Sequence, residues 1–200
     1  VTVNDRIREL LDALDRHAPG EAGHAQRVAV LATSIGERLG LDDVALLALR
    51  IAAQLHDIGK LRCPAQTLTK KEPLTAEEMR IVRRHPIDGP AIVSVQEEFQ
   101  ASVPGIAWHH ERLDGSGYPD ALHADRIPLQ ARIVAVAEVY DTVAWRPPYV
   151  QEPARSHRNP MEEVRATPGL DSRVLDALAG CVPLITPLSA DLCDGEGGVV

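Results

Sequence analysis

The chain has 200 residues, 44% hydrophobic and 25% charged, with a mean hydropathy of −0.12. A chain of that size buries about 70% of the surface it exposes when unfolded, which argues against a disordered or membrane-embedded polypeptide. A formal charge of −8 and six aromatic residues leave neither a basic track nor a base-stacking platform for a nucleic-acid polymer, but eight histidines are left without a reason.

Apolar residues at helical spacing run through most of the sequence. Ile7, Leu10, Leu11 and Leu14 form one stripe, on a helix reaching about Arg16. A second, Val28, Leu31, Ile35 and Leu39, stops at Gly40. Asp42 caps a third helix, apolar on almost every side from Val44 to Ile58 and ended by Gly59, which predicts a path through the core. After an irregular stretch near Pro64, Thr75 and Glu78 form a capping box for a helix through His85, closed by Pro86, with the pattern open to resuming after Gly89. A helix over Phe99 to His110 leads into a glycine-rich loop from Asp114 to Pro119. Pro128 suits the first turn of a helix through Trp145, and Asp171 caps a last one through Val182. No alternating strand pattern longer than four residues appears, so the fold class is all-α, a single compact helical bundle. The expected division is an N-terminal helix over 1–19, one domain over 20–183 and a flexible tail over 184–200.

Cys63, Cys181 and Cys193 are odd in number and form no CxxC pair, which fits a reducing, cytoplasmic setting. Val1 to Arg16 lacks the apolar stretch of a signal peptide, and no run approaches the roughly 18 apolar residues of a membrane span, so no membrane partner is expected. The first helix is too short for a receiver or sensor domain. Regulation is therefore expected from a homodimer contact, a separate partner or expression level.

The histidines divide into two groups. His17, His123 and His157 fall near turns or among polar residues and read as surface side chains. His24, His56, His85, His109 and His110 fall inside predicted helices or at their ends. Asp57 ends the most apolar helix, where an unpaired carboxylate would cost several kcal/mol, so a cation is expected beside it. Imidazole and carboxylate ligands without cysteine suit a catalytic rather than a structural metal, Fe, Mn or Zn. Neighbours on a helix point about 100° apart, so His56 and Asp57 are expected to serve different ions, with Asp57 bridging; His109 and His110 pose the same geometry. Two metals roughly 3.5–4 Å apart suit phosphoester hydrolysis.

The run His56-Asp57-Ile58-Gly59-Lys60, then His85-Pro86-Ile87-Asp88-Gly89, then His109-His110-Glu111-Arg112-Leu113-Asp114-Gly115-Ser116-Gly117-Tyr118-Pro119 resembles the HD-GYP domains. These are a bacterial branch of the HD metal-dependent phosphohydrolases, many of which degrade cyclic di-GMP. The resemblance covers roughly residues 20–183. It implies that His24, His56 and Asp57 share one metal centre and that Asp57 bridges to a second, completed by His85, His109 and His110. Lys60 would contact a substrate phosphate and join Asp57 in catalysis. Glu111 and Asp114 would orient imidazoles through their non-ligating nitrogens, and Gly117, Tyr118 and Pro119 would line the substrate side.

Three departures stand out. The family's Asp in the late helix is Glu138 here, in Ala137-Glu138-Val139-Tyr140-Asp141, one methylene longer and expected as the last ligand. The family's Arg-Pro-Tyr-Lys segment is Arg146-Pro147-Pro148-Tyr149-Val150, with Arg146 and Tyr149 as the substrate contacts. Glu21, three residues before His24, is a candidate ligand for a third metal. The resemblance implies a phosphodiesterase that hydrolyses a cyclic dinucleotide, cyclic di-GMP first, by a hydroxide bridging two or three iron or manganese ions. Another cyclic dinucleotide or nucleotide as substrate, or a non-catalytic ligand-binding signalling module, are the alternatives. Guanine stacking would fall to Tyr118, Trp145 or Tyr149.

Overall fold

A computed structural model describes residues 2–145 and 159–190. Arg146, Tyr149 and His157 lie outside the described residues. Helix α1 (Val3–His17) opens with a capping box, the Asp5 amide donating to Thr2 Oγ1 at 3.1 Å and the Thr2 amide to Asp5 Oδ2 at 2.9 Å. It buries Ile7, Leu11 and Leu14 in the same core as the helices that follow, so α1 is packed into the bundle. Helix α2 (Glu21–Arg38) buries Val28, Leu31 and Ile35, and it packs along α3 (Asp43–Leu55), α8 (Leu129–Ala144) and α10 (Ser172–Ala190). Asp42 caps α3 through the Ala45 amide at 2.8 Å.

Four local features differ from the sequence expectations. Helix α3 stops at Leu55 rather than Ile58, and the chain tightens into a 3₁₀ turn over Ile58–Arg62 that contains Gly59. The face of α3 bearing Val44 and Leu47, 76% and 50% exposed, is open, so α3 is buried along one side and not all round. The helix after Thr75 is short, α5 (Ala76–Val82), and a new helix, α6 (His85–Val93), starts at His85. Pro86 therefore opens a helix, since its missing N–H costs nothing in a first turn, whereas the expectation had it closing one. The segment after Phe99 splits into a 3₁₀ stretch, Glu97–Ser102, and α7 (Val103–Trp108), with Pro104 in the first turn of α7.

Two short helices, α4 (Ala65–Leu68) and α9 (Pro160–Arg165), escaped the sequence reading because neither is long enough to show a period. Helix α10 begins after Asp171 as expected but continues helical to Ala190, eight residues past Val182, into the stretch assigned to a tail. Leu184 and Leu188 extend the spacing of Leu178 and Cys181, which is the signal that stretch carried. Among the described residues there is no strand, only an isolated bridge between Asp114 and His123.

The bundle positions the site by bringing helix ends together. The 3₁₀ turn after α3 packs against α6 at Gly59. A Cβ there would overlap the His85 carbonyl oxygen and lie 2.7 Å from the Gly89 amide nitrogen, so only glycine lets these two backbones meet. Gly59→Ala is accordingly expected to lose at least about 1–3 kcal/mol of stability. Gly23→Ala, whose Cβ would meet only the tip of Arg27 at 3.4 Å, should be neutral or stabilising by up to about 1 kcal/mol. Urea denaturation of the two variants checks this; equal midpoints would contradict it.

Candidate metal centre

Each of the five histidines singled out in the sequence reaches one focus. His24 lies in the second turn of α2, His56 at the C-terminal end of α3 with Asp57 next, His85 at the start of α6, and His109 at the C-terminal end of α7 with His110 next. Carbonyls in the last turn of a helix lack a partner within it. Three of these imidazoles take such carbonyls: Nδ1 of His56 donates to Ala53 at 2.8 Å, Nδ1 of His85 to Val82 at 2.8 Å, and Nδ1 of His109 to Ile106 at 2.9 Å. A carbonyl oxygen can only accept, so each Nδ1 carries the proton and each Nε2 offers a lone pair. His24 is set the same way by a carboxylate, its Nδ1 2.7 Å from Asp141 Oδ2.

The lone pairs converge. Nε2 of His85 lies 3.1 Å from Nε2 of His109 and 3.1 Å from Nε2 of His110. Asp57 faces both halves of the cluster: Oδ1 is 3.1 Å from His85 Nε2, while Oδ2 is 3.1 Å from His56 Nε2 and 3.9 Å from His24 Nε2. Ligand atoms of His24, His56 and Asp57 fall within 4.8 Å of one another, as do those of Asp57, His85, His109 and His110. His56 and Asp57 reach the same set because α3 has ended, so the 100° step of a continuous helix does not separate them.

Without a cation this arrangement is repulsive. His56, Asp57, His85 and His109 are buried, and His56 Nε2 and Glu138 Oε2 are buried without a hydrogen-bond partner. Burial would raise the Asp57 carboxyl, but the Lys60 ammonium and the His56 and His85 imidazoles hold it well below the usual carboxylate range. Burial lowers His56, and the Asp57 carboxylate more than reverses that, to about 9. Burial and the neighbouring imidazoles push His109 far down and His110 to about 2, and burial lowers His85. One carboxylate beside the neutral, desolvated imidazoles of His85, His109 and His110, with His56 giving up its extra proton on binding, is a donor set that divalent transition metals fit. The His/Asp cluster could hold metal ions.

The remaining sequence candidates fall around this focus in different ways. Lys60 Nζ sits 2.8 Å from Asp57 Oδ2 and 2.9 and 3.0 Å from the two carboxylate oxygens of Glu21. Glu21 thus faces the lysine and belongs to neither ligand set. Glu138 points toward the cluster, Oε1 3.8 Å from His110 Nε2, but also lies outside both sets; burial raises its carboxyl.

Glu111 and Asp114 do not orient imidazoles among the described residues, which corrects the expectation. The buried Glu111 accepts the amides of Asp120 and Leu122 at 2.7 and 2.9 Å and so clamps the glycine-rich loop, while Asp114 accepts the amide and hydroxyl of Ser116 in a local turn. Backbone carbonyls already hold the imidazoles of His56, His85 and His109, and these acids hold the loop instead. Gly117 serves backbone approach, since a Cβ would lie 2.6 Å from the His110 carbonyl oxygen and 2.5 Å from the Arg112 nitrogen. That approach seats the Tyr118 ring on His110, centroids 4.6 Å apart and planes at 20°, with Pro119 next in the loop. His123 is exposed as expected, but His17 is half-buried, its Nε2 donating to the Cys63 carbonyl at 2.7 Å.

Asp141 and Arg27 are residues the sequence reading missed. Asp141 is buried and receives, besides His24, Nε and Nη2 of Arg27 at 2.7 and 2.9 Å. The signal was available: Asp141 follows Glu138 by three residues, and Arg27 follows His24 by three, so each pair shares a helix face.

Known proteins are similar to this chain. The HD domain family matches residues 9–174. The cyclic di-GMP phosphodiesterase response regulator RpfG of Xanthomonas campestris is 39% identical over 153 residues, 74% of this chain and 40% of that protein. The 3'3'-cGAMP-specific phosphodiesterase 3 of Vibrio cholerae is 37% identical over 136 residues, 68% of this chain and 30% of that protein. The chain therefore spans well under half the length of these relatives. A solved structure of a cyclic GMP-AMP specific phosphodiesterase from V. cholerae superimposes with a TM-score of 0.67 at 20% identity, over 94% of this chain and 52% of that one, and so shares the fold. The chain belongs to the HD domain family, and its motifs are those of the HD-GYP proteins within it.

Proposed function

We propose that residues 20–183 form the catalytic domain of a phosphodiesterase that hydrolyses a cyclic dinucleotide, cyclic di-GMP first, with iron or manganese as its metal. The observation that carries this reading is the convergence of imidazole Nε2 lone pairs on the two oxygens of Asp57. Divalent ions at such a site supply Lewis acidity toward phosphoryl oxygens and lower the pKa of water. In this reading His24 and His56 hold one ion, His85, His109 and His110 a second, and Asp57 both. Glu138 is the nearest further carboxylate, and its unpartnered Oε2 supports a role as the last ligand.

Glu21 is engaged with Lys60, which favours two ions over three. Lys60, held by two carboxylates at the edge of the cluster, keeps its proton, because Asp57 and Glu21 outweigh the cost of burial. It is placed to meet a non-bridging phosphate oxygen and to offset its charge. Asp141 and Arg27 keep His24 in one tautomer and orientation, as carboxylates behind metal-bound imidazoles do. The buried, reduced Cys63 and Cys181 go with a cytoplasmic location, and among the described residues no helix is long and apolar enough to cross a membrane. The V. cholerae relatives named for 3'3'-cGAMP favour a second reading, in which another cyclic dinucleotide is the substrate.

Metal analysis of the purified protein, followed by incubation with cyclic di-GMP and Mn or Fe(II) while linear dinucleotide and GMP are measured, tests the proposal. Turnover is expected; a loaded centre with no turnover of any cyclic dinucleotide would sink the enzyme reading in favour of a ligand-binding module. Asp57→Ala should lose metal and activity together, whereas Lys60→Ala should keep its metal and turn over more slowly. An active, metal-free Asp57→Ala protein would refute the bridging role. Asp141→Ala should bind Mn more weakly by about 10–100-fold, read by titration; unchanged affinity would show that His24 needs no brace.

A further inference from the structure

A cyclic dinucleotide carries two phosphodiester groups, and only one can lie on the metal centre at a time. The other brings a full negative charge to a protein whose net charge is −8. It needs a cation with hydrogen-bond donors to spare, and most cations around the cluster already face an acid or a carbonyl. Lys60, between Asp57 and Glu21, is already assigned to the phosphate on the metals, and Arg27 is spent bidentately on Asp141. Arg112 donates to the carbonyls of His109 and Glu111. Arg62 and Arg84 both lean on Asp88, at 3.4 and 3.8 Å.

Arg83 is different. Its side chain is exposed, and among the described residues it makes no hydrogen bond and no ion pair. Its guanidinium lies over the Tyr118 ring, 4.2 Å from the centroid, and that ring also stacks on His110 of the cluster. Arg83 therefore offers a planar fork of N–H donors steadied by a cation–π contact at the edge of the cluster.

We propose that Arg83 binds the second phosphate of the cyclic dinucleotide, the one not being cleaved. The assignment rests on the cyclic-dinucleotide reading above and adds to it a specificity-determining residue that a substrate with a single phosphodiester would not use. A guanidinium set by its ring presents two parallel donors to phosphate oxygens, a match of shape as well as charge.

The test compares the Mn-loaded full chain with its Arg83→Ala and Arg83→Lys variants on cyclic di-GMP and on bis(p-nitrophenyl) phosphate, a diester with one phosphate. Arg83→Ala should raise KM for cyclic di-GMP about tenfold or more, the scale of a lost charge-assisted hydrogen bond, with kcat nearly constant. Metal content and the rate on bis(p-nitrophenyl) phosphate should stay at wild-type values, and Arg83→Lys should recover part of the loss. Equal losses on both substrates would overturn the assignment, since they would mean that Arg83 acts through Tyr118 and His110. An unchanged KM for cyclic di-GMP would overturn it as well. A wild-type protein that cleaves bis(p-nitrophenyl) phosphate but no cyclic dinucleotide would instead defeat the parent reading, and the assignment with it.

Discussion

The site depends on one recurring interaction: an imidazole Nδ1–H given to a backbone carbonyl at the end of a helix. His56, His85 and His109 each make it with the residue three before. It satisfies a carbonyl that the helix leaves open, fixes the tautomer and aims Nε2 away from the helix, all with one hydrogen bond. Repeated at the ends of α3, α5 and α7, it crowds lone pairs to 3.1 Å around a single carboxylate, a geometry that needs a cation to hold it together. The close meeting of backbones at Gly59 and His85 belongs to the same logic, because it brings the ends of α3 and α5 within reach of one another. The fold thus acts as a device for gathering helix termini, and the chemistry of the centre follows from what those termini present.

Much of this was legible in the sequence. The five histidines and Asp57 stand in motifs whose order and spacing identify them, and the amphipathic stripes of α1 and α2 follow directly from their periods. What the sequence concealed lies at the helix ends. Pro86 reads as a breaker when it is a first-turn residue, and His56 and Asp57 read as the last turn of a helix that in fact ends at Leu55. Both misreadings have the same cause: local pattern does not distinguish the last turn of one helix from the turn that joins it to the next.

Division of labour among the acids was the other hidden part. Glu111 and Asp114 stand beside the paired histidines in sequence, which suggested that they orient the rings. In the fold His109 already has a backbone partner, while Glu111 clamps the glycine-rich loop and Asp114 shapes its turn. The acid that does hold an imidazole, Asp141, comes from α8, 117 residues from His24 in sequence. Through Arg27 it ties α2 and α8 together at the level of the cluster, so the packing of the bundle and the orientation of a ligand are one constraint. Glutamate at 138 fits the same picture: it projects from α8 toward His110 with a buried oxygen still unpartnered.

The most direct test of the account is anomalous diffraction from a crystal of the Mn-loaded protein. Two peaks are predicted, one on each side of the Asp57 carboxylate, the first among His24 and His56 and the second among His85, His109 and His110. A single peak, or a peak held by Glu21 with Lys60 displaced, would contradict the claim that Asp57 is shared by a pair of ions.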